Sequence, residues 1–413
     1  MKWLERIEAH VLEWFTSTEA LRALTAELRD LAPILKIGGR TVVTRYDDVL
    51  EILDKDRHFS VVPVYAEKMA HTTGDFFLGM DDSPRYRREV DVARRAVRSD
   101  DMSRIAELAT HTARELIAAA RGRRGAFDGV NDFSRLIPLR LVADYFGIPG
   151  PDLETMKRWM RVVFWDIFLN PNNDASVSSR SRVASAELKR YLIDFIGARK
   201  VLLASGAAPP NDFLTRLLRQ QSADPSIDDD LVRRNVGGII VGAVDTQSKV
   251  IAQVIDQLLR RPDALESARR AARAGNDALL GAHVWEALRY NPLTPALFRV
   301  AAEDTVIGEG TERKTVIEKG SNVLAFTVSG MFDPIAFEDP DAFRTDRPFS
   351  KYLHFGHGVH TCFGERINAV VIPLAIKELL LVDGLRYDDA GSRKIEYEGP
   401  FPDRMSLRFD PSA

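Results

Sequence analysis

Apolar residues recur at helical spacing along five long stretches of the chain. A helix that packs on a core carries apolar side chains at positions i, i+3, i+4 and i+7. This pattern predicts helices over residues 102–120, 153–168, 183–203, 229–259 and 278–290. The segments 170–174 and 204–211 are rich in turn-forming residues, and we expect them to be exposed loops.

Strand-like segments are fewer and shorter than the helical ones. Residues 41–44 are apolar and β-branched and follow a Gly-Gly turn, and residues 384–409 alternate enough to indicate a few more strands. Segments 315–317 and 322–326 flank Lys319-Gly320, which is typical of a hairpin turn. The pattern therefore predicts a strand pair there.

Together these segments predict a mainly α protein with small β-sheets, of the α+β class. We find no internal repeat, no low-complexity segment and no clean linker. The prediction is one large helical domain over residues 1–413, with strand-rich parts near 35–60, 295–330 and 385–410.

Composition is that of an ordinary soluble globular protein. Of 413 residues, 45% are hydrophobic and 28% charged, and the net charge of −3 gives no global attraction to nucleic acid or to an anionic membrane. One cysteine excludes an intrachain disulfide and is typical of a reducing compartment.

Residues 1–8 and the lengths of the apolar runs indicate where in the cell the protein is located. Residues 1–8 are charged and amphipathic and lack the apolar core of a signal peptide. No uninterrupted apolar run approaches the ~20 residues that span a bilayer. We therefore predict a cytoplasmic protein with no membrane partner and no nucleic-acid partner.

The most informative segment surrounds the only cysteine, Cys362. It reads Phe-Gly-His-Gly-Val-His-Thr-Cys-Phe-Gly-Glu over residues 355–365. A cysteine thiolate can bind haem iron and supply electron density that favours O–O cleavage. Such a ligand needs a tight backbone beside the porphyrin, which Gly356, Gly358 and Gly364 permit.

Three other roles for Cys362 agree less well with its neighbours. A lone cysteine is most often a small buried apolar residue, but this segment is polar and glycine-rich. A zinc site normally has four N or S ligands, and here one sulfur stands beside three histidines, His354, His357 and His360. A cysteine nucleophile with a distant histidine would not explain Phe355 together with the glycines. His360 can instead donate to a haem propionate, and Phe355 can cover the thiolate.

Three glycines fall within six positions of the predicted helix 229–259, at Gly237, Gly238 and Gly242. Each costs about 1 kcal/mol relative to alanine. Close packing of helices is one reason for them, and space for a flat cofactor is another. Asp245 and Thr246 follow, and a hydroxyl beside a carboxylate can relay protons.

Glu286 and Arg289 stand at i, i+3 of the predicted helix 278–290 and can pair on one face. Taken alone, such a pair is usually exposed and contributes about 0–1 kcal/mol.

The cysteine segment resembles the haem-binding signature of the cytochrome P450 family, Phe-x-x-Gly-x-Arg/His-x-Cys-x-Gly. The matching residues are Phe355, Gly358, His360, Cys362 and Gly364. Further motifs resemble the family, in the family's order, from about residue 43 to 366. The resemblance implies the cytochrome P450 fold and haem b (iron protoporphyrin IX), with Cys362 as the axial ligand of the iron.

Residues 242–246 resemble the family's oxygen-activating motif, Ala/Gly-Gly-x-Asp/Glu-Thr. This resemblance implies that Asp245 and Thr246 are the catalytic proton relay and that Gly242 and Ala243 lie beside the cofactor. The chain departs from the motif at Ala243, where a second glycine is usual, and at Gln247, where a second threonine is common.

Other site residues also come from the resemblance. It implies that Glu286, Arg289 and Arg347, the last in a segment like the family's meander (337–348), hold the cysteine loop in place. It implies that Arg299 binds a propionate.

Segment 81–88 resembles the start of the helix that supplies the family's propionate-binding histidine and arginine. The histidine is absent. Tyr86 or Arg85 takes its place, and we choose Arg88 for the arginine.

The substrate pocket is bounded by the same comparison. It implies that Val244, Pro295 and Ala296 face the substrate and that segments 61–77 and 159–165 lie over it. Their aromatic content is compatible with a small apolar organic substrate, and equally with ordinary helix packing.

The implied function is a haem-thiolate monooxygenase that inserts one oxygen atom of O₂ into that substrate. Its electrons would come from NAD(P)H through a reductase and a ferredoxin or flavodoxin. Six arginines between Arg85 and Arg98 would form a basic docking face, although a solvated basic helix has the same composition.

Three alternatives remain open. A peroxide-driven peroxygenase or hydroperoxide isomerase is one, and the Asp245-Thr246 pair argues against it. A haem-binding sensor without turnover is another. A haem-free helical protein would leave the ordered motifs unexplained.

Overall fold

The computed structural model describes residues 18–170, 173–388 and 395–411. The prediction about residues 1–8 lies outside these ranges. The helices are α1 (Thr18–Leu31), α2 (Tyr46–Asp54), α3 (Val62–His71), α4 (Pro84–Ala96), α5 (Met102–Gly122), α6 (Leu136–Asp144), α7 (Leu153–Leu169), α8 (Ala175–Ala204), α9 (Phe213–Ala223), α10 (Asp229–Leu259), α11 (Pro262–Arg273), α12 (Asp277–Tyr290), α13 (Thr327–Gly330) and α14 (Glu365–Leu380).

The strands are short and lie mostly in the three predicted regions. They are β1 (Ile34–Ile37), β2 (Arg40–Val43), β3 (Phe59–Ser60), β4 (Ala126–Asp128), β5 (Leu297–Ala301), β6 (Thr305–Ile307), β7 (Thr315–Ile317), β8 (Asn322–Ala325), β9 (Arg386–Tyr387), β10 (Glu396–Glu398), β11 (Phe401–Arg404) and β12 (Ser406–Arg408). The mainly α fold with small sheets is therefore confirmed.

The predicted helices are all present, and only one boundary differs substantially. Helix α10 has the predicted ends, whereas α8 begins eight residues before position 183. The early start has a local cause. The Asp174 carboxylate accepts hydrogen bonds from the backbone N–H groups of Ser176 and Val177, which caps the first turn.

The predicted hairpin between β7 and β8 is wrong. Strand β7 pairs with β6, while β8 lies between β2, to which it is parallel, and β5, to which it is antiparallel. Val323 and Ala325 of β8 are fully buried. A central strand needs a partner on each side, and both places beside β8 are taken by β2 and β5. Gly320 still makes a turn, with φ of +81°.

The largest sheet has the strand order β1-β2-β8-β5-β3. It lies beside the helical body, and β5 carries Arg299 toward the interior, where it is 5% exposed. The sheet therefore positions a guanidinium next to the helices.

Helix α10 runs through the centre of the body and packs against α6, α7, α8, α12 and α14. Among the described residues it is the one helix long and apolar enough to cross a membrane, and 78% of its most apolar window is buried inside the protein. That burial is typical of a core helix.

Two glycines of α10 differ in their surroundings. A Cβ at Gly238 would lie 2.4 Å from a ring carbon of Phe76, so this position is closely packed. A Cβ at Gly242 would meet no atom within 4 Å, because that face of the helix borders a cavity.

This difference makes a matched pair of variants informative. We expect Gly238→Ala to lower the free energy of unfolding of the haem-free protein by about 1–3 kcal/mol, because the added methyl group overpacks the core. Gly242→Ala should instead raise it by up to ~1 kcal/mol through helix propensity. Urea unfolding of both apo variants checks this, and equal stabilities would contradict it.

Candidate active site

A cavity of about 1780 Å³ lies between α10 and the cysteine loop, which we define as residues 353–364. Cys362 lines it on one side, and Gly242, Asp245 and Thr246 line it on the other. Pockets for one small ligand usually occupy about 300–1,000 Å³. This cavity can therefore hold a flat cofactor together with an organic molecule.

The cysteine loop is shaped by glycines at two of the three expected positions. Gly356 and Gly358 have φ of +75° and +69°, a region that favours glycine. A Cβ on Gly358 would also lie 2.8 Å from the Leu53 carbonyl oxygen. Gly364 has φ of −83°, so its role is different. It leaves a small space bordered by the Cys362 Sγ and the Asn368 Nδ2.

Backbone hydrogen bonds hold Cys362 at the cavity wall. Its N–H donates to the Phe355 carbonyl at 2.8 Å, and its carbonyl accepts from the Glu365 N–H at the start of α14. Burial raises the pKa of the Cys362 thiol, and the Gly364 N–H acts in the opposite direction. Because burial favours the neutral thiol, a thiolate at this position needs a nearby cation to stabilise it. A bound metal ion can supply that positive charge.

The zinc alternative is not supported by this geometry. Within the described residues, no group of three or more His, Cys, Asp and Glu side chains could hold a metal ion. The buried His354 ring contacts the Trp285 carbonyl through Nε2 at 2.9 Å. Cys362 therefore faces the cavity without the other ligands that a tetrahedral zinc site needs.

Thr246 lies on the opposite wall, on α10. Its hydroxyl donates to the Gly242 carbonyl at 2.6 Å and lies 3.1 Å from that of Ala243. Such back-bonding to the preceding turn occupies the carbonyls of the helix ladder. The hydroxyl thus sits beside the space over Gly242.

Asp245 is 3% exposed and is tied to two other elements. Its Oδ1 accepts from the Arg161 Nε of α7 at 3.1 Å, and Arg161 also pairs with Glu398 of β10. Burial raises the pKa of Asp245, with Arg161 and Arg135 acting in the opposite direction. Its Oδ2 is buried without a hydrogen-bond partner, so the carboxyl group keeps one oxygen for a further proton contact.

Arg299 and His360 form a donor cluster on the cavity wall. The Arg299 Nε and both His360 ring nitrogens are buried and make no hydrogen bond to the described residues. Burial lowers the pKa of Arg299, and burial together with the Arg299 charge lowers the pKa of His360 to about 4. Buried donors without acceptors are costly, so the cluster fits a ligand that brings carboxylates. The residues present therefore fit a haem with propionates.

The segment at the start of α4 departs from expectation. The Tyr86 hydroxyl donates to the Val359 carbonyl at 2.7 Å, and its ring lies 5.4 Å from that of His360. Tyr86 therefore contacts the cysteine loop and helps to hold it in place. Arg88 does not reach this site, because its exposed guanidinium bonds to Ser226. Arg85 pairs with Asp75 and Glu89.

Of the three residues expected to face the substrate, two line the cavity and one does not. Pro295 and Ala296 line the cavity, but Val244 is packed in the core with 1% exposure. Residue 244 is two positions after Gly242, which places it roughly 200° around the helix, on the opposite face. The expectation for Val244 is therefore wrong.

Glu286 and Arg289 form a fully buried pair, not the exposed one that is usual at this spacing. Both side chains have 0% exposure, and the Arg289 Nη2 donates to the Glu286 Oε1 at 2.7 Å. Arg347 approaches the same carboxylate at 3.5 Å, and the Tyr352 hydroxyl donates to it at 2.9 Å. Since Tyr352 directly precedes the cysteine loop, the pair connects α12 to that loop.

Several cavity residues were not identified from the sequence. These include Phe401 of β11 and two polar residues, Lys249 and Asn368. Lys249 could have been found, because positions 242, 246 and 249 share one helix face.

Known proteins give an independent comparison. The family model described as Cytochrome P450 matches residues 34–382. The mycinamicin IV hydroxylase/epoxidase of Micromonospora griseorubida is 27% identical over 368 residues, 86% of each chain. The cyclomarin C epoxidase CymV of Salinispora arenicola is 26% identical over 295 residues, 71% of this chain and 70% of that one.

The fold has close structural counterparts. One is the crystal structure of P450BioI in complex with hexadec-9Z-enoic acid ligated acyl carrier protein. Its TM-score is 0.81 at 22% identity, covering 95% of this chain and 98% of that chain. Since the family model spans most of the chain, and relatives named as hydroxylase and epoxidase match nearly as far, this protein belongs to the cytochrome P450 family and is a P450 monooxygenase.

Proposed function

We propose that this protein is a haem b monooxygenase that inserts one atom of O₂ into a small apolar organic substrate, with Cys362 as the thiolate ligand. The observation that carries the proposal is the arrangement of one cavity. Cys362 lines this cavity together with the Asp245-Thr246 pair of α10, and with Arg299 and His360, whose Nε and ring nitrogens have no partner among the described residues.

Haem, when bound, supplies the iron chemistry that activates O₂. The protein's own residues hold and tune it. Cys362 would bind the iron, the Arg299 guanidinium and His360 would bind the propionates, and Phe355 would shield the sulfur from solvent. Phe355 is itself held by edge contact with Trp285, at 5.8 Å between ring centroids.

Proton delivery would fall to the residues of α10. The Thr246 hydroxyl can release its bond to the Gly242 carbonyl and donate toward the oxygen-binding side. The carboxyl group of Asp245, held by Arg161, can then supply the replacement proton from its free Oδ2. Burial raises the pKa of Asp245 and so favours its protonated form relative to that of an exposed aspartate.

The electrons would come from NAD(P)H through a ferredoxin or flavodoxin. The six arginines between Arg85 and Arg98 form a less cationic surface than their number indicates. Arg87, Arg95 and Arg98 each pair with a nearby aspartate, Asp82, Asp91 and Asp100 respectively. An acidic partner protein would therefore compete with local pairs, and docking should weaken as salt increases.

A direct experiment tests the function. The reduced, carbon-monoxide-bound protein should show a Soret band strongly red-shifted from that of histidine-ligated haem. With a ferredoxin system and a substrate found by spin-shift screening, the product should carry an atom from isotopically labelled O₂. Label that enters only from hydrogen peroxide would favour a peroxygenase, and a histidine-like Soret would reject thiolate ligation.

Removing the Thr246 hydroxyl should separate haem binding from coupling. We expect Thr246→Ala to keep the haem spectrum but to release hydrogen peroxide at the expense of product, because the relay has lost its donor. The product formed per NAD(P)H should fall several-fold.

Ser248→Ala is the matched control. Its hydroxyl lies two positions along α10 and bonds to the Ser134 hydroxyl, not to the cavity. It should remain coupled. Coupling in Thr246→Ala equal to that of the unmodified protein would remove Thr246 from the relay.

A further inference from the structure

Lys249 is a half-buried lysine that the proposed function does not use. It lies three residues beyond Thr246 on α10, so the two share a helix face, and its side chain lines the same cavity. Among the described residues it has neither a hydrogen bond nor an ion pair. Burial alone, with no contribution from a nearby charge, lowers the pKa of Lys249 to about 8. The amine therefore remains mostly protonated near neutral pH.

The buried acids of the cavity bond to other residues, and none of them pairs with Lys249. Asp245 bonds to Arg161, and Asp256 bonds to Arg260 and Tyr387. Asp166 accepts from Asn170 and Ser178. Glu398 nearby pairs with Arg161. Among the described residues, the amine of Lys249 therefore has no ion pair, although acids line the same cavity.

The acid groups of a haem are also accounted for elsewhere. Arg299 and His360 form the donor cluster, and the charge of Arg299 affects His360 but not Lys249. Lys249 is therefore not part of that cluster. We look for its partner in a different molecule in the same cavity.

One part of the cavity wall is apolar and aromatic. It includes Tyr65, Phe164, Trp165, Phe168 and Phe401, and the rings of Phe164 and Phe401 are 5.8 Å apart. Such a wall binds a hydrocarbon or an aromatic body and offers few polar contacts. An unpaired ammonium in this setting is costly unless a ligand pairs with it.

We propose that Lys249 is a substrate-binding residue that holds the carboxylate of an amphiphilic organic acid, while the aromatic wall holds its apolar body. This inference rests on the proposed function and names the substrate class of the same site. An ammonium–carboxylate hydrogen bond is charge-assisted and stronger than a neutral one.

Binding titrations test the proposal without relying on turnover. Two matched pairs serve as probes, dodecanoic acid with its methyl ester and 4-phenylbutanoic acid with its methyl ester. The spin-state shift of the holoenzyme's Soret band gives each dissociation constant. We expect at least one acid to bind the unmodified protein about tenfold or more tightly than its ester. Lys249→Met should remove this preference, and Lys249→Arg should keep part of it.

Lys68→Met is the matched control. Lys68 also lines the cavity, but its amine donates to the Asn170 carbonyl, so this variant should keep the preference for the acid. Should Lys249→Met fail to take up haem, Lys249→Gln carries the same comparison.

The outcomes separate the two claims. Equal binding of acid and ester by the unmodified protein, or an undiminished preference in the haem-loaded Lys249 variants, would overturn the carboxylate site. Unchanged preference with lost coupling would assign Lys249 to proton supply instead and would also overturn it. A missing thiolate Soret in the unmodified protein would reject the proposed function itself.

Discussion

Cys362→Ala is expected to lose the thiolate haem spectrum completely. Cys362 is the only cysteine of the chain, so no other residue can supply the sulfur. The reduced, carbon-monoxide-bound spectrum of the variant, reconstituted with haem, is the measurement. The red-shifted Soret band should be absent, and any haem that binds should give a histidine-like or ligand-free spectrum.

The same variant should fold normally without haem. Its side chain lines the cavity, and the bonds of its own N–H to Phe355 and of its carbonyl to Glu365 do not involve the sulfur. Apo Cys362→Ala and the unmodified apo protein should therefore melt at similar temperatures. A variant that retained the red-shifted band would end the assignment of Cys362 as the iron ligand.

Glu286→Gln, which hardly changes the size of the side chain, is expected to lower the free energy of unfolding strongly. Burial opposes ionisation of Glu286, but its contacts with Arg289, the Arg344 N–H and Tyr352 hold its pKa below the ordinary value. The variant leaves the Arg289 guanidinium buried and unbalanced. Breaking one partner of a buried ion pair costs about 3–5 kcal/mol. Urea unfolding at neutral pH measures this difference.

The pH dependence of that loss has a definite sign. Since the folded-state pKa of Glu286 is lowered, its stabilising contribution is full above the unfolded value of 4.5 and disappears as the pH falls through the folded value. The difference between Glu286→Gln and the unmodified protein should therefore narrow in acid.

Glu338→Gln is the control, because it makes the same substitution in an exposed ion pair. Its carboxylate pairs with Arg344, and its side chain is 80% exposed. Exposed pairs contribute little, so this variant should unfold like the unmodified protein. Equal losses in the two variants would contradict a special role for the buried pair.

The chemistry of the site was largely predictable because its residues are close in sequence. The cysteine motif spans ten residues from Phe355 to Gly364, and Asp245 and Thr246 are neighbours on one helix. The apolar period of α10 also predicted its ends correctly. Local patterns decide such features, since helix periodicity and turn glycines act within a few residues.

Contacts between distant segments were not predictable in the same way. The strand partners of β7 and β8 depend on which strands the tertiary structure brings to them. The choice of Arg88 was wrong because the far partner Ser226 takes its guanidinium. Val244 was misplaced because a motif names residues without saying which helix face each occupies.

By itself the sequence determined a mainly helical protein, the haem-thiolate motif and the acid-alcohol pair, since each depends on residue type at short spacing. Only the tertiary structure decided that Glu286 and Arg289 are buried, that Arg299 and His360 face the cavity without acceptors, and that Lys249 has no counterion. The physical reason is that the burial and the pairing of a side chain depend on segments far apart in the chain. Burial and pairing in turn set the pKa of a charged group and the energy of its interactions.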